Sequence, residues 1–295
     1  MWIDLDRKII DFDLIDYHGT YQNDLNSIHF PMGEEHIRLP DVSYEIEKGE
    51  NYASVFSRIR NSEDLVQLLL LSNSLDKHRI EKRKLVIPYL PYARQDRVAT
   101  WGDPHSLQVI CDLLDNLGFK EIVVVDVHSA TAEACFRKSK FTNYHPYNEF
   151  LKWTNFLFDP SQTTLISPDE GAIKRTSEFM KFGFKELVPC FKIRNPKTGE
   201  LEGFEVSKKI TTNEVVIVDD ICDGGGTFLG LAPKLRGAGA NRLFLWVTHG
   251  GFTKGTNKLL EEFNEIGCTN SYRYLFESER LDQRITQISI NFKEI

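Results

Sequence analysis

At 295 residues the chain has room for two domains of ordinary size or for one large α/β sheet, since domains cluster at roughly 100 to 200 residues. Its composition, 41% hydrophobic and 27% charged, is that of a globular protein, and its longest apolar runs, such as 122-IVVVDV-127, fall far short of the ~18 residues that span a bilayer. A net charge of −7 excludes a general attraction to nucleic-acid backbones or anionic membranes, so any cations that bind anions must be local.

The N-terminal stretch MWIDLDRKII has no basic segment followed by an apolar core, so no secretory or organellar address is expected and the setting is expected to be cytoplasmic. The five cysteines, Cys111, Cys135, Cys190, Cys222 and Cys268, are widely spaced, odd in number and form no CxxC pair. That argues against a disulfide framework and a zinc site and reads as reduced thiols.

In chain order, 62-SEDLVQLLLLSNSLDKH-78 predicts a helix opened by Ser62, 84-KLVIPYL-90 a strand, 105-HSLQVICDLLDNLG-118 a helix closed by Gly118, and 121-EIVVVDV-127 a strand. Further strands are predicted at 163-TTLISP-168, 214-EVVIVDD-220 and 242-RLFLWVTHG-250. Strands alternating with segments long enough for helices mean α/β architecture, with mainly parallel sheets flanked by helices. Periodicity lapses at 141-FTNYHPYNEF-150, which places a domain junction there and gives two similar domains, 1–145 and 146–295. Two apolar runs end in polar residues, 122-IVVVDVH-128 and 215-VVIVDD-220, and ligands of open α/β sheets sit at such strand ends, so one deep crevice is expected per half.

The strongest local signal is 215-VVIVDDICDGGGTF-228. Gly224, Gly225 and Gly226 remove side chains so that backbone N–H groups and the next helix N-terminus can surround a phosphate, with Asp219 and Asp220 facing sugar hydroxyls beside it. An ordinary tight turn with solvated carboxylates is the plain alternative. The run resembles the phosphoribosyl-diphosphate loop of the type I phosphoribosyltransferase-like proteins, and by itself leaves a phosphoribosyltransferase and a diphosphokinase equally open. The first half decides between them: 86-VIPYLPYARQDR-97 resembles the Ala-Arg-Gln-Asp loop of the ribose-phosphate diphosphokinases, where Arg94 offers a planar fork for ATP phosphates, Gln95 and Asp96 are polar, and Arg97 adds a second cation.

The resemblance extends, in the family's order, from about Phe30 to Phe252. Asp126 and His128 of 123-VVVDVHSA-130 fall where the family binds magnesium and nucleotide phosphates. Magnesium prefers oxygen, so His128 suits a phosphate contact or a water-mediated link better than direct ligation. Asp169 of 165-LISPDEGAIKR-175 falls where a second metal contact holds the diphosphate. Glu170 stands where the family has a smaller residue, and either points away or assists a metal. Lys174 and Arg175 could equally form an exposed helix face. Lys192 and Arg194 of 190-CFKIRNPKTGELEGF-204 match the family's mobile catalytic loop, with a hairpin turn expected at 195-NPKTGE-200, and 246-WVTHGGF-252 matches its Thr-His-Gly strand end. In 30-FPMGEEH-36, Phe30 and Glu34 fit the adenine-contacting loop, while Met32 replaces the usual asparagine and leaves strict ATP preference open.

The resemblance thus implies a phosphoribosyltransferase-like fold in both halves, an N-terminal ATP and metal domain, and a C-terminal ribose 5-phosphate domain whose loop Asp223 to Thr227 takes the 5-phosphate. It also implies Mg²⁺ as cofactor and a homo-oligomer with sites shared between subunits. The implied activity is transfer of the β,γ-diphosphate of ATP to ribose 5-phosphate, with Lys192, Arg194 and His128 at the reaction. A catalytically silent regulatory relative and a type I phosphoribosyltransferase are the alternatives.

Overall fold

The computed structural model describes residues 1–11, 22–41, 51–155, 157–194, 201–275 and 282–295; the expected turn at 195–200 lies outside them. The chain forms two compact units, Met1–His145 with Asn291–Ile295, and Pro146–Ile290. The last five residues return to the first unit, where Phe292 packs against Phe56 with ring centroids 4.8 Å apart. A division at 146–295 does not anticipate that return, because one buried aromatic near the chain end has no sequence periodicity to announce it.

In the first unit β1 (Trp2–Asp4), β2 (Ile9–Asp11) and β3 (Gln22–Asp24) run antiparallel to one another. A separate hairpin joins β4 (Asn26–His29) to β5 (Glu35–Arg38). Then β6 (Tyr52–Phe56), β7 (Glu81–Ile87), β8 (Glu121–Val125) and β9 (Lys140–Tyr144) add to β1 in parallel, giving the sheet order β3-β2-β1-β6-β7-β8-β9. Residues 122–125 are all buried, as expected of a strand within a parallel sheet. Helix α1 (Ser62–Lys77) contributes Leu68, Leu71 and Leu75 to the core, and α2 (Ser106–Asp115) contributes Leu107, Ile110, Cys111 and Leu114, an i, i+3, i+4, i+7 stripe.

Two helix ends differ from the sequence expectation. The cap of α1 is Asn61, whose side chain accepts from the Asp64 N–H at 2.9 Å, because a cap must sit outside the first helical residue. Helix α2 ends at Asp115 with Asn116 as its cap, and Gly118 takes a left-handed turn (φ 81°) on the way into β8. Short helix α3 (Thr131–Cys135) then leads to β9.

The second unit repeats the plan. After α4 (Tyr147–Thr154) come β10 (Thr163–Ser167), α5 (Ile173–Ser177), β11 (Glu186–Arg194), β12 (Leu201–Val206), β13 (Glu214–Cys222), α6 (Gly226–Gly237), β14 (Arg242–Gly250), α7 (Asn257–Glu262), β15 (Glu265–Thr269) and β16 (Ile285–Ile288). The sheet order is β12-β11-β10-β13-β14-β15-β16, parallel except for β12. Its strands are apolar on both faces with period two. Val215, Ile217, Leu243 and Leu245 join one core with Phe228 and Leu231 of α6, while Val216, Val218, Phe244 and Trp246 join another with Phe150 and Trp153 of α4. Gly267 makes room for this second core, since a Cβ there would lie 2.5 Å from the Trp153 indole. All five cysteines are buried and unbridged. No helix among the described residues is long and apolar enough to cross a membrane.

Candidate active site

In the second unit the chain reverses its direction of growth at β10, so the ends of β10 and β13 flank a topological switch point, where open α/β sheets bind ligands. Asp219 and Asp220 stand at the end of β13, with side chains 15% and 3% exposed. Arg175 reaches both from α5, its Nη1 3.2 Å from Asp220 Oδ1 and 3.9 Å from Asp219 Oδ1. Arg175 is therefore part of the site and not an exposed helix face, whereas its neighbour Lys174 is exposed. Burial, then the charge of Asp220, raises the Asp219 carboxyl well above the usual range, with Arg175 opposing.

The loop from Asp223 to Thr227 follows directly. Gly225 caps α6 in a left-handed conformation (φ 76°), and Gly226 is the first helical residue, so the loop's N–H groups precede the positive end of a helix of 12 residues. This is the geometry of an anion cup.

After β10, Asp169 is held by its own loop: Ser167 Oγ donates to its carbonyl at 2.9 Å, and its Oδ1 accepts from the Ala172 N–H at 3.1 Å. Its Oδ2 lies 2.5 Å from Nζ of Lys192 on β11. Arg194, two residues on, is exposed and pairs in register with Leu201, while Ile193 pairs with Gly203; Glu202 is thus an extra residue that bulges β12. Glu170 is exposed, and among the described residues it forms no ion pair. At the end of β14, His249 is buried and its Nδ1 lies 2.7 Å from Ser271 Oγ.

The first unit brings two of its expected motifs together. The loop after β7 turns at Tyr92, a non-glycine residue at φ 61°, and exposes Arg94, Gln95 and Arg97. Asp96 accepts from Arg97 Nε at 2.8 Å and from Ser129 Oγ at 2.8 Å, and these bonds, Arg97's first, hold its carboxyl at about 2. Ser129 belongs to the loop after β8, so this bond ties the Arg94–Arg97 loop to the one carrying Asp126 and His128. Asp126 is 5% exposed and left-handed (φ 42°), a conformation that costs about 1 kcal/mol or more outside glycine. His145 Nδ1 stands 3.7 Å from its Oδ1, and His128 is exposed.

Phe30 and Glu34 occupy the tip of the β4–β5 hairpin, where Phe30 N–H donates to the Glu34 carbonyl at 2.9 Å. This hairpin is tied to α1 through Gln67 Nε2 and Glu35 Oε2, 2.9 Å apart. Met32 is 91% exposed.

The crevice of about 280 Å³ at the ends of β1 and β6 is closed by its own charges. Arg58, 2% exposed, holds Asp6 at 2.6 Å, and Arg60 reaches Asp6 at 2.8 Å and Asp64 at 3.3 Å. Arg58 and Arg60 face carboxylates here and Lys8 donates to the Gln67 side-chain oxygen, so the first unit's polar loops after β7 and β8, and not its switch point, carry the candidate ligand groups.

Sequence reading missed His145, Ser129 and the role of Arg175. His145 stood in the stretch read as a junction, and its histidine beside an aromatic-rich strand was the only signal.

Two α/β units, the second carrying paired aspartates before a glycine cup, define a protein of phosphoribosyltransferase-like fold. Residues 17–118 match the family described as the N-terminal domain of ribose phosphate pyrophosphokinase. The chain is 31% identical over 244 residues to a ribose-phosphate pyrophosphokinase of Pyrococcus furiosus, covering 82% of this chain and 84% of that one, and 31% identical over 259 residues to that of Pyrococcus abyssi, covering 87% of each. The chain belongs to the ribose-phosphate pyrophosphokinase family. The crystal structure of phosphoribosylpyrophosphate synthetase from Mycobacterium smegmatis has the same fold, with a TM-score of 0.76 at 21% identity over 90% of this chain and 85% of that one.

Proposed function

We propose that this chain transfers the β,γ-diphosphate of ATP to the 1-hydroxyl of ribose 5-phosphate, giving 5-phosphoribosyl 1-diphosphate and AMP. A phosphoribosyltransferase would share the cup after β13 but has no need of the two loops of the first unit. The bond from Ser129 to Asp96 that unites those loops is the observation that carries the diphosphokinase reading.

In this reading the second unit binds ribose 5-phosphate. The 5-phosphate accepts from N–H groups of the loop Asp223 to Thr227, and the 2- and 3-hydroxyls donate to Asp219 and Asp220. The first unit binds ATP, with Phe30 and Glu34 at adenine and Arg94, Gln95 and His128 at the phosphates. The sugar oxygen attacks the β-phosphorus, the bond from that phosphorus to the oxygen bridging to the α-phosphate breaks, and the hydroxyl proton is released. Lys192 and Arg194 stabilise charge on the transferring oxygens.

In the first unit Asp126 and His128, and in the second Asp169, would each offer a contact to Mg²⁺. The donor set fits: Asp126 is a buried carboxylate at a strand end, and Asp169 already holds a cation through Oδ2, so each offers oxygen to a hard ion, with His128 suited to phosphate or a bridging water. Bound Mg²⁺ would neutralise diphosphate charge and fix its orientation.

A homo-oligomer with shared sites is part of the same reading, supported by the exposure of Phe30 and Met32 at the hairpin tip. A cytoplasmic setting accords with five unbridged thiols.

The test is incubation with Mg²⁺, ATP and ribose 5-phosphate while AMP and ADP are followed. Sugar-dependent AMP without ADP supports the reading. No AMP with any nucleotide or metal would turn it toward a catalytically silent regulatory relative.

A further inference from the structure

The anion cup after β13 is short of positive charge. Residues 224–226 are glycines and Thr227 brings only a hydroxyl, so the loop itself offers N–H dipoles and no cation. Around it stand the carboxylates of Asp220 and Asp223 beside the largely buried Asp219, while Arg175 is committed to Asp220 and Asp219. A phosphate monoester carrying close to two charges is repelled by such carboxylates unless a cation offsets them.

One residue meets that need. Lys254, on the segment after β14, runs its aliphatic stem across Gly224: a Cβ at Gly224 would lie 3.2 Å from Lys254 Cδ and 3.3 Å from Cε. Gly224 is not among the positive-φ glycines, so its missing side chain serves clearance and not backbone conformation. The two segments are strapped together. The N–H groups of Gly251 and Phe252 donate to the Cys222 carbonyl at 2.9 and 3.0 Å, Thr253 N–H donates to the Asp223 carbonyl at 3.0 Å, and Thr253 Oγ1 donates to Asp223 Oδ1 at 2.7 Å. Phe252 is buried in a left-handed conformation (φ 45°), which sets the direction in which the chain leaves toward Lys254. Lys254 is exposed, and among the described residues its ammonium has no ion-pair partner.

We infer that Lys254 is the cation of the sugar-phosphate site: its ammonium binds the 5-phosphate of the substrate above the loop Asp223 to Thr227. This rests on the reading of that loop as the ribose 5-phosphate site. Lys254 thereby selects phosphorylated sugars, because unphosphorylated ribose gives its charge nothing to bind.

The experiment is calorimetric titration of ribose 5-phosphate alone into the wild-type chain and its K254M and K254R variants, with AMP formation measured in parallel. Loss of a hydrogen bond to a charged group predicts affinity about tenfold or more weaker in K254M, with K254R close to wild type. ATP affinity is unchanged in both variants. K254M binding ribose 5-phosphate as tightly as wild type would overturn the inference alone. A wild-type chain that binds no ribose 5-phosphate overturns both the inference and the reading of the loop. Lys254-dependent binding without AMP formation supports the inference and overturns only the proposed reaction.

Discussion

Lys192 and Asp169 form an ion pair, Nζ to Oδ2 at 2.5 Å, between the C-terminal part of β11 and the loop after β10. Each is a quarter exposed, so neither is sealed from water and the pair is free to exchange partners. One is the cation assigned to the transferring diphosphate, the other a carboxylate assigned to metal. In this structure each neutralises the other.

In the proposed reaction Lys192→Ala removes charge stabilisation at the transition state and leaves the nucleotide contacts proposed for the first unit in place. Turnover should fall about 100-fold or more, the scale of removing one preorganised donor, with ATP affinity within about twofold of wild type. Steady-state AMP formation and nucleotide titration check the two halves; unchanged turnover would remove Lys192 from the mechanism.

Asp219 gives a pH-dependent stability. Below the ordinary carboxylate range the folded and unfolded chains both hold its proton. As pH rises through that range the unfolded chain releases the proton while the folded chain keeps it, because burial and Asp220 raise the folded value. Folding is thus increasingly penalised until the pH passes the raised value. Asp219→Asn should raise Tm by a few degrees at pH 7, with the gain shrinking toward pH 4, and should weaken ribose 5-phosphate binding. Thermal melts across that range measure the first effect, and a gain that grows toward low pH would contradict the assignment.

Asp126 is the most buried oxygen donor among the expected metal residues. Chelation should silence the enzyme, with Mg²⁺ restoring it. Asp126→Asn should raise the Mg²⁺ concentration for half-maximal activity by about tenfold or more, at least the cost seen for altering a ligand's supporting shell. A Mg²⁺ dependence identical to wild type would place the metal elsewhere.

The pair Arg58–Asp6 is a matter of stability and not of chemistry. Arg58 is 2% exposed, lies 4.8 Å over the Phe56 ring and holds Asp6 at 2.6 Å. Asp6→Asn leaves a buried guanidinium short of its counter-charge and should cost about 3–5 kcal/mol in urea unfolding. The double replacement Asp6→Leu with Arg58→Met should cost far less, since it removes both charges together.

The strands at 121–127, 163–168, 214–220 and 242–250 were legible because a strand covered on both faces must be apolar at nearly every position, as Val215 to Val218 are. The cup was legible for a similar reason. Three successive glycines after a strand and before a helix restrict the backbone locally, and Gly225 does adopt the left-handed cap.

Other parts were illegible because they depend on which distant segments the sheet order makes neighbours. Lys192 meets Asp169 across 23 residues, Ser129 meets Asp96 across 33, and Asp223 meets Thr253 across 30. A charge pattern along the chain reports only what lies a few residues away, so Arg175 looked like a solvated helix face until α5 was packed against the end of β13. His145 was hidden in the same way, since its relation to Asp126 exists only once β9 pairs with β8. Chemical character and local backbone conformation are short-range properties that the order of residues sets directly. The partner of each charge follows from burial and strand order, which are settled only when the whole sheet forms.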